Sequence, residues 1–324
     1  MSIGSSYPVG RSTPGPQPAR PLPHAHVAAP LGLRLLAVAL CCLLALTLTA
    51  TVFVRTYPGQ WLDGVLLPRA ERGGGYEQQT VLVGPAKTVL ATFGSPTLLA
   101  ALLGAMLLVG VLRRRLVAGI VGVGMVLCAV VVAGAVKSAL PRPDLQIESS
   151  TTHNSFPSGH VAAATTLLLA FMLVLPGWAR RWLVVPSAAG VSVIAAATMI
   201  AGWHRFSDAL GGVLLGVALF CLAAASLAGW RGDQDRVGEP DGGGLLRRLA
   251  EAALALVWAL VVVVPGLAAS VQRGALVAIV AAGASTMFLV GSVVFLVRSA
   301  DFAAPLSARR GGPPQPVAEP QKIS

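Results

Sequence analysis

Long hydrophobic segments separated by short polar ones dominate the chain. Few charged residues interrupt these segments, and each comes close to the roughly 20 apolar residues that a helix needs to cross a bilayer. They lie near residues 31–54, 89–112, 116–136, 159–176, 183–202, 209–229, 249–270 and 275–297. The pattern predicts an all-α, polytopic membrane helix bundle with about eight transmembrane spans.

The polar segments divide this bundle into parts. Residues 1–30 and 299–324 are rich in Pro and Gly without a hydrophobic period, which predicts two disordered arms. Residues 31–230 are expected to form a six-span core. A linker at 231–248 then leads to a C-terminal pair of spans at 249–298. Such a terminal pair is expected to pack or interact rather than to carry chemistry.

The composition agrees with a membrane protein. Hydrophobic residues make up 55% of the chain and charged residues only 11%, whereas soluble domains average about 25% charged residues. The net charge of +11 raises the possibility of a nucleic-acid partner. However, the basic residues stand in short clusters beside apolar segments, where they are better interpreted as topology signals. No nucleic-acid partner is therefore predicted.

The basic clusters occupy alternate connections between the hydrophobic segments. They lie at 113–115, 180–181 and 247–248. Because Lys and Arg are retained on the cytoplasmic side, these connections, the linker and both termini are predicted to be cytoplasmic. The loops at 55–88, 137–158 and 203–208 would then face outward, across the cell membrane from the arginine clusters.

The outward loops carry the polar motifs that helix packing does not explain. The first is "KSALPRPDL", with Lys137 and Arg142 at the end of the third segment. Two cations there can hold phosphoryl oxygens, Arg through a planar fork and Lys as a point charge. The alternative is a pair of cations that snorkel to the membrane interface.

The second motif is "PSGH", residues 157–160, at the start of the fourth segment. Ser158 is a favoured helix N-cap, and Gly159 lets an anion approach the backbone. The free N–H groups of a first helical turn form an anion site. His160 in that turn is placed to donate a proton to a leaving oxygen.

The third motif is "GWHRFSDALGG", in which His204 and Asp208 are four residues apart. On a helix the two side chains share one face. The carboxylate can hold one imidazole tautomer and leave the opposite nitrogen free to attack. Together the motifs supply a nucleophile, an acid, cations and a helix N-terminus, which is what phosphoryl transfer requires. His153 is better interpreted as a loop histidine than as a second proton donor.

These motifs resemble the signature of the type 2 phosphatidic acid phosphatase superfamily, which includes membrane lipid phosphatases, soluble bacterial acid phosphatases and vanadium haloperoxidases. The resemblance covers 137–212 by motif and about 90–230 by span pattern. Two positions depart from the family pattern. Asp144 stands where the family has the Arg of an Arg-Pro pair, with Arg142 closer to the Lys, and Ala197 and Thr198 stand where a Ser-Arg pair is expected.

The resemblance implies a role for each motif residue. His204 would be the nucleophile that forms a phosphohistidine, Asp208 its orienter and His160 the general acid. The phosphate-binding groups would be Lys137, Arg142, Ser158 and Gly159, with Arg205 as our hypothesis for the replacement of the missing family arginine. The family also implies a six-helix phosphatase core with its site at the non-cytoplasmic face, and no metal or other cofactor.

The sequence therefore predicts a multi-pass lipid phosphatase of the cell membrane. Its substrate would be a membrane lipid phosphate, such as a polyprenyl diphosphate, phosphatidate or phosphatidylglycerol phosphate. The alternatives are a lipid phosphotransferase that uses the same site, a transporter or non-catalytic scaffold, and a metal-dependent hydrolase built on the histidines. The oligomeric state is left open.

Overall fold

The computed structural model describes residues 31–66, 82–147, 153–229 and 273–297, and every regular element in these ranges is helical. The helices are α1 (Leu31–Thr49), α2 (Tyr57–Leu66), α3 (Val83–Phe93), α4 (Pro96–Leu112), α5 (Leu116–Ala139), α6 (Gly159–Val174), α7 (Gly177–Ile200), α8 (Phe206–Gly229) and α9 (Arg273–Val297). A π-helical turn, Ala50–Val54, continues α1.

The all-helical prediction is confirmed for the described residues, whereas the count of eight spans is not. Within the part of the chain that the structure describes, four segments are long and apolar enough to cross a bilayer alone, namely Leu31–Val54, Leu116–Ala139, Phe206–Ala228 and Ile279–Val297. The helices α3 and α4 meet at 52° and add a fifth span if they are one broken segment. The seventh predicted segment, the linker and both arms lie outside the described residues.

Two predicted spans have an apolar helical part that is shorter than a membrane crossing requires. Helix α6 has 16 residues, so its length of about 24 Å falls short of the roughly 30 Å hydrocarbon core. In α7 the apolar part is Val185–Ile200. The segment 55–88, predicted as a loop, contains α2 and half of α3.

Helix α8 occupies the centre of the bundle. It packs against α1, α5, α6 and α9, and α5 packs in turn against α6. Within its apolar window 72% of the residues are buried, against 22% in α1, which therefore lies at the periphery. A Cβ on Gly216 of α8 would lie 2.7 Å from the Thr165 side chain of α6. Glycine thus brings these two helices into the close contact typical of helix pairs in lipid.

Two of the basic clusters, 113–115 and 180–181, lie at the opposite end of α6 from the polar motifs. Arg115 and Arg180 both donate hydrogen bonds to the carbonyl of Leu175, just after the last residue of α6, at 2.9 and 3.0 Å. Arg180 also donates to the carbonyl of Val297 at the end of α9. These side chains satisfy carbonyls that a helix C-terminus leaves unpaired. The arginines therefore mark the end of the bundle away from the "PSGH" motif.

Candidate active site

The turn between α7 and α8 places His204. Gly202 adopts φ 71°, a left-handed conformation that glycine reaches without a steric penalty. The amides of Trp203 and His204 both fold back to donate to the carbonyl of Thr198, at 3.0 and 3.2 Å. The turn holds the His204 side chain in a buried position directly before the first turn of α8.

His204 faces the carboxylate of Asp208 as the spacing predicted. Its Nδ1 lies 3.5 Å from Asp208 Oδ2. The same oxygen accepts hydrogen bonds from the Arg205 amide at 2.9 Å and from the Ser155 hydroxyl at 2.5 Å. Asp208 is fully buried, so these donors fix its carboxylate against the imidazole.

The start of α6 is tied to the start of α8. The Ser158 amide donates to the backbone carbonyl of Asp208 at 2.9 Å, and the Ser158 hydroxyl caps α6 by accepting from the Val161 amide at 3.5 Å. Ser158 is fully buried, while Gly159 and His160 are partly exposed. The capped first turn of α6 therefore opens beside the His204–Asp208 pair.

His160 lies at the meeting point of several elements. Its ring stacks obliquely on Trp203, with centroids 5.7 Å apart. A Cβ on Gly94, at the break between α3 and α4, would lie 3.1 Å from His160 Nε2. The His160 imidazole also interacts electrostatically with His204 and Lys137. Two imidazoles and one cation, from α5, from α6 and from the turn before α8, are thus close enough to interact.

Lys137 of the first motif borders the same place, and Arg142 is buried in the loop that follows α5. Lys137 Nζ lies 3.9 Å from the position that a Cβ on Gly159 would take, and Lys137 interacts electrostatically with Asp208. Arg142 is 4% exposed, although it stands on a loop. The Asn154 amide group holds this loop by donating to the carbonyl of Leu140 at 2.7 Å.

Arg205 has a structural partner that the sequence did not indicate. Its Nη1 donates to the Ser155 hydroxyl at 3.3 Å, and the residue is 2% exposed. Its charge acts on the buried carboxylates of Asp208 and Asp63. The Arg205 guanidinium therefore compensates buried negative charge. That it also binds phosphate in place of the missing family arginine stays a prediction.

Sequence reasoning missed four residues of this site. Ser155 and Asn154 stand inside "HNSFPSGH", where their polar character next to a hydrophobic segment was a usable signal. Trp203 adjoins the nucleophile candidate in sequence. Asp63 was visible only as one of very few acidic residues in the first half of the chain. His153, by contrast, is exposed, as expected for a loop histidine.

The comparison with known protein families agrees with this geometry. Residues 98–231 match the model of the PAP2 superfamily. No curated protein and no solved structure matches the chain. The match includes α5, α6 and α8 with every residue of the three motifs, whereas α1, α2 and α3 precede it. Members of this superfamily are phosphatases, which indicates a phosphoester hydrolase. The match over residues 98–231 supports membership of the PAP2 superfamily, that of the type 2 phosphatidic acid phosphatases.

Proposed function

We propose that the chain is an integral membrane lipid phosphatase that hydrolyses a lipid-linked phosphate or diphosphate through a phosphohistidine at His204. The observation that carries the proposal is the junction of α6 and α8. There the Ser158 amide is bonded to the Asp208 carbonyl, and His160 is in electrostatic contact with His204. A proton donor in the first turn of α6 and a nucleophile in the turn before α8 thereby share one site.

The first half-reaction follows from the placement of these groups. Because Asp208 faces Nδ1 of His204, the free electron pair lies on Nε2, which attacks the phosphorus atom. The P–O bond to the lipid breaks as the P–N bond forms, and His160 gives its proton to the leaving oxygen. The product is a phosphohistidine and a lipid alcohol, or a lipid monophosphate if the substrate is a diphosphate.

The second half-reaction reverses these roles. The neutral His160 accepts a proton from water, whose oxygen attacks the phosphohistidine. The P–N bond breaks, inorganic phosphate leaves, and both histidines return to their starting protonation states. Throughout, Lys137, Arg142 and the free N–H groups at the start of α6 would neutralise the charge on the phosphoryl oxygens.

The positions of the basic clusters support a site on the non-cytoplasmic face of the cell membrane. Arg115 and Arg180 lie at the opposite end of α6 from the site, and such clusters are retained in the cytoplasm. The headgroup of a lipid would then reach His204 from the outer leaflet, with its alkyl chains between helices. An outer site favours polyprenyl diphosphate, released during recycling of a lipid carrier, over phosphatidate and phosphatidylglycerol phosphate.

Phosphate release from these three lipids tests the proposal. The full chain, purified in detergent, is compared with His204→Ala and with Gly190→Ala, a control in α7 whose added Cβ would meet no atom within 4 Å. Wild type and control are expected to release phosphate from at least one lipid, and to form an acid-labile phosphoprotein that His204→Ala lacks. Equal release by wild type and His204→Ala from every lipid would refute the proposal.

Two further measurements separate the alternatives. Release of free phosphate without an added alcohol distinguishes hydrolysis from phosphotransfer, because a transferase passes the phosphoryl group to an acceptor. Activity that survives EDTA and is lost to vanadate would exclude a metal-dependent hydrolase. A transporter or scaffold would show no turnover at all.

A further inference from the structure

Helix α2 places a buried carboxylate at the start of α8. Asp63 is fully buried, and its Oδ1 accepts a hydrogen bond from the Ser207 amide at 3.3 Å. The other oxygen, Oδ2, accepts a short hydrogen bond from the Ser207 hydroxyl. Ser207 is the second residue of α8, where amides have no partner within the helix. Asp63 therefore caps α8 from a helix more than 140 residues earlier.

Helix α2 is itself held in place by Gln60. The Gln60 side chain donates to the carbonyl of Val54, at the end of the α1 segment, at 2.8 Å. It also donates to the carbonyl of Pro143 at 3.1 Å, in the loop that carries Arg142. With Gln60 and Asp63 one turn apart, α2 connects the loop after α5 to the first turn of α8.

We propose that Asp63 is a positioning residue for the His204–Asp208 pair, which it holds in register through Ser207. Asp208 directly follows Ser207 in that turn, and its carboxylate must keep its orientation toward His204 for the attack proposed above. Asp63 lies outside the family match at 98–231, so the brace is a feature of this chain's own N-terminal part. The inference rests on the proposed function.

Burial and neighbouring charges act on the Asp63 carboxyl group in opposite directions. Burial, together with the nearby charge of Asp208, raises the pKa of Asp63 to about 7, while Ser207 and Arg205 favour its ionised form. The Asp63 carboxyl group therefore takes up a proton more readily than an ordinary carboxyl group, next to the carboxylate of Asp208. An amide of the same shape would still accept from the Ser207 amide and donate to its hydroxyl. Asparagine should therefore replace Asp63 in this role, and alanine should not.

Kinetics of variants in the full-length protein test the inference. Asp63→Ala is expected to lower kcat for the lipid panel about 10- to 100-fold, the range for lost outer-shell partners, with KM nearly unchanged. Asp63→Asn should retain most of the activity. The control is Ser192→Ala, which removes a buried interhelical hydrogen bond to the Gly283 carbonyl, between α7 and α9, and should leave kcat unchanged.

A double-mutant comparison separates positioning from general damage to the fold. If Asp63 acts through Asp208, then Asp63→Ala should lower kcat by less than about threefold when it is made in the Asp208→Asn variant. Hydrogen exchange gives a readout that needs no turnover: amides of residues 203–210 should exchange faster in Asp63→Ala, with the rest of the described helices unchanged.

The kcat and hydrogen-exchange results for Asp63→Ala together decide whether Asp63 is a positioning residue. Wild-type kcat with unchanged exchange in Asp63→Ala would overturn the inference, and so would an equal loss of kcat in both backgrounds. A wild type that hydrolyses none of the lipids would refute the proposed function. In that case, faster hydrogen exchange confined to residues 203–210 in Asp63→Ala would still establish that Asp63 stabilises the start of α8. Unchanged exchange in Asp63→Ala would show that it does not.

Discussion

The contact between Gly212 of α8 and the start of α6 gives the sharpest test of the site geometry. A Cβ at position 212 would lie 2.7 Å from the Ser158 carbonyl oxygen, 2.9 Å from Val161 Cβ and 3.1 Å from the Ala162 amide nitrogen. Ordinary contact begins at 3.4 Å, and two of these three atoms belong to the backbone, which cannot rotate away. Gly212→Ala must therefore push α6 and α8 apart by about 0.7 Å.

The size of the effect follows from two opposing terms. Overpacking costs about 1–3 kcal/mol in free energy of unfolding, whereas Ala gains about 1 kcal/mol over Gly within a helix. The net loss of stability should therefore be about 0–2 kcal/mol. Catalysis should suffer more, because the displaced residue, Ser158, is bonded to the Asp208 backbone. A misplacement near 1 Å can cost about 100-fold, so turnover should fall at least about tenfold.

The assay compares Gly212→Ala with Gly190→Ala in phosphate release and thermal unfolding, both in the same detergent. The control makes the same chemical change in a helix where the new Cβ meets nothing within 4 Å. It should unfold at the wild-type temperature or slightly above it and keep full activity. Wild-type turnover in Gly212→Ala, with unchanged unfolding, would refute the close approach of α6 and α8 on which the site depends.

Three further predictions concern charge. Phosphate release should follow a bell-shaped pH profile, because His204 must be neutral to attack and His160 protonated to donate; a flat response between about pH 5 and 9 would contradict this. The raised pKa of Asp63 means that the folded state keeps a proton which the unfolded state has lost. The free energy of unfolding should therefore fall between about pH 4 and 7, by at most about 1.4 kcal/mol per pH unit from this group. Thermal unfolding at several pH values should show a weaker fall in Asp63→Asn than in wild type. Identical pH dependence in the two proteins would contradict the raised pKa of Asp63. Finally, Arg205→Ala should abolish phosphate release if Arg205 replaces the missing family arginine. Full activity in Arg205→Ala beside loss of activity in Arg142→Ala would show that it does not.

The sequence alone determined the class of the protein and the identity of its motifs. Segments as apolar as α5 and α8 favour helices that satisfy their own backbone groups, so an all-helical bundle followed from composition and length. The superfamily was also recognisable, because "PSGH" and the spacing of His204 and Asp208 are local features. The basic clusters could also be identified from the sequence, because they too are local features.

The tertiary structure decided which groups meet and where the helices break. Hydropathy reports the transfer energy of a segment and not its neighbours, so the bend between α3 and α4, and its contact with His160 through Gly94, were hidden in one apolar segment. The contact of Asp63 with Ser207 joins residues far apart in sequence, and Arg205 comes close to the Asp63 carboxylate only when α2 and α8 pack together. Burial makes such polar pairings necessary, because a carboxylate that leaves water must find donors. Which donors it finds depends on the packing of whole helices, a property that no short stretch of residues contains.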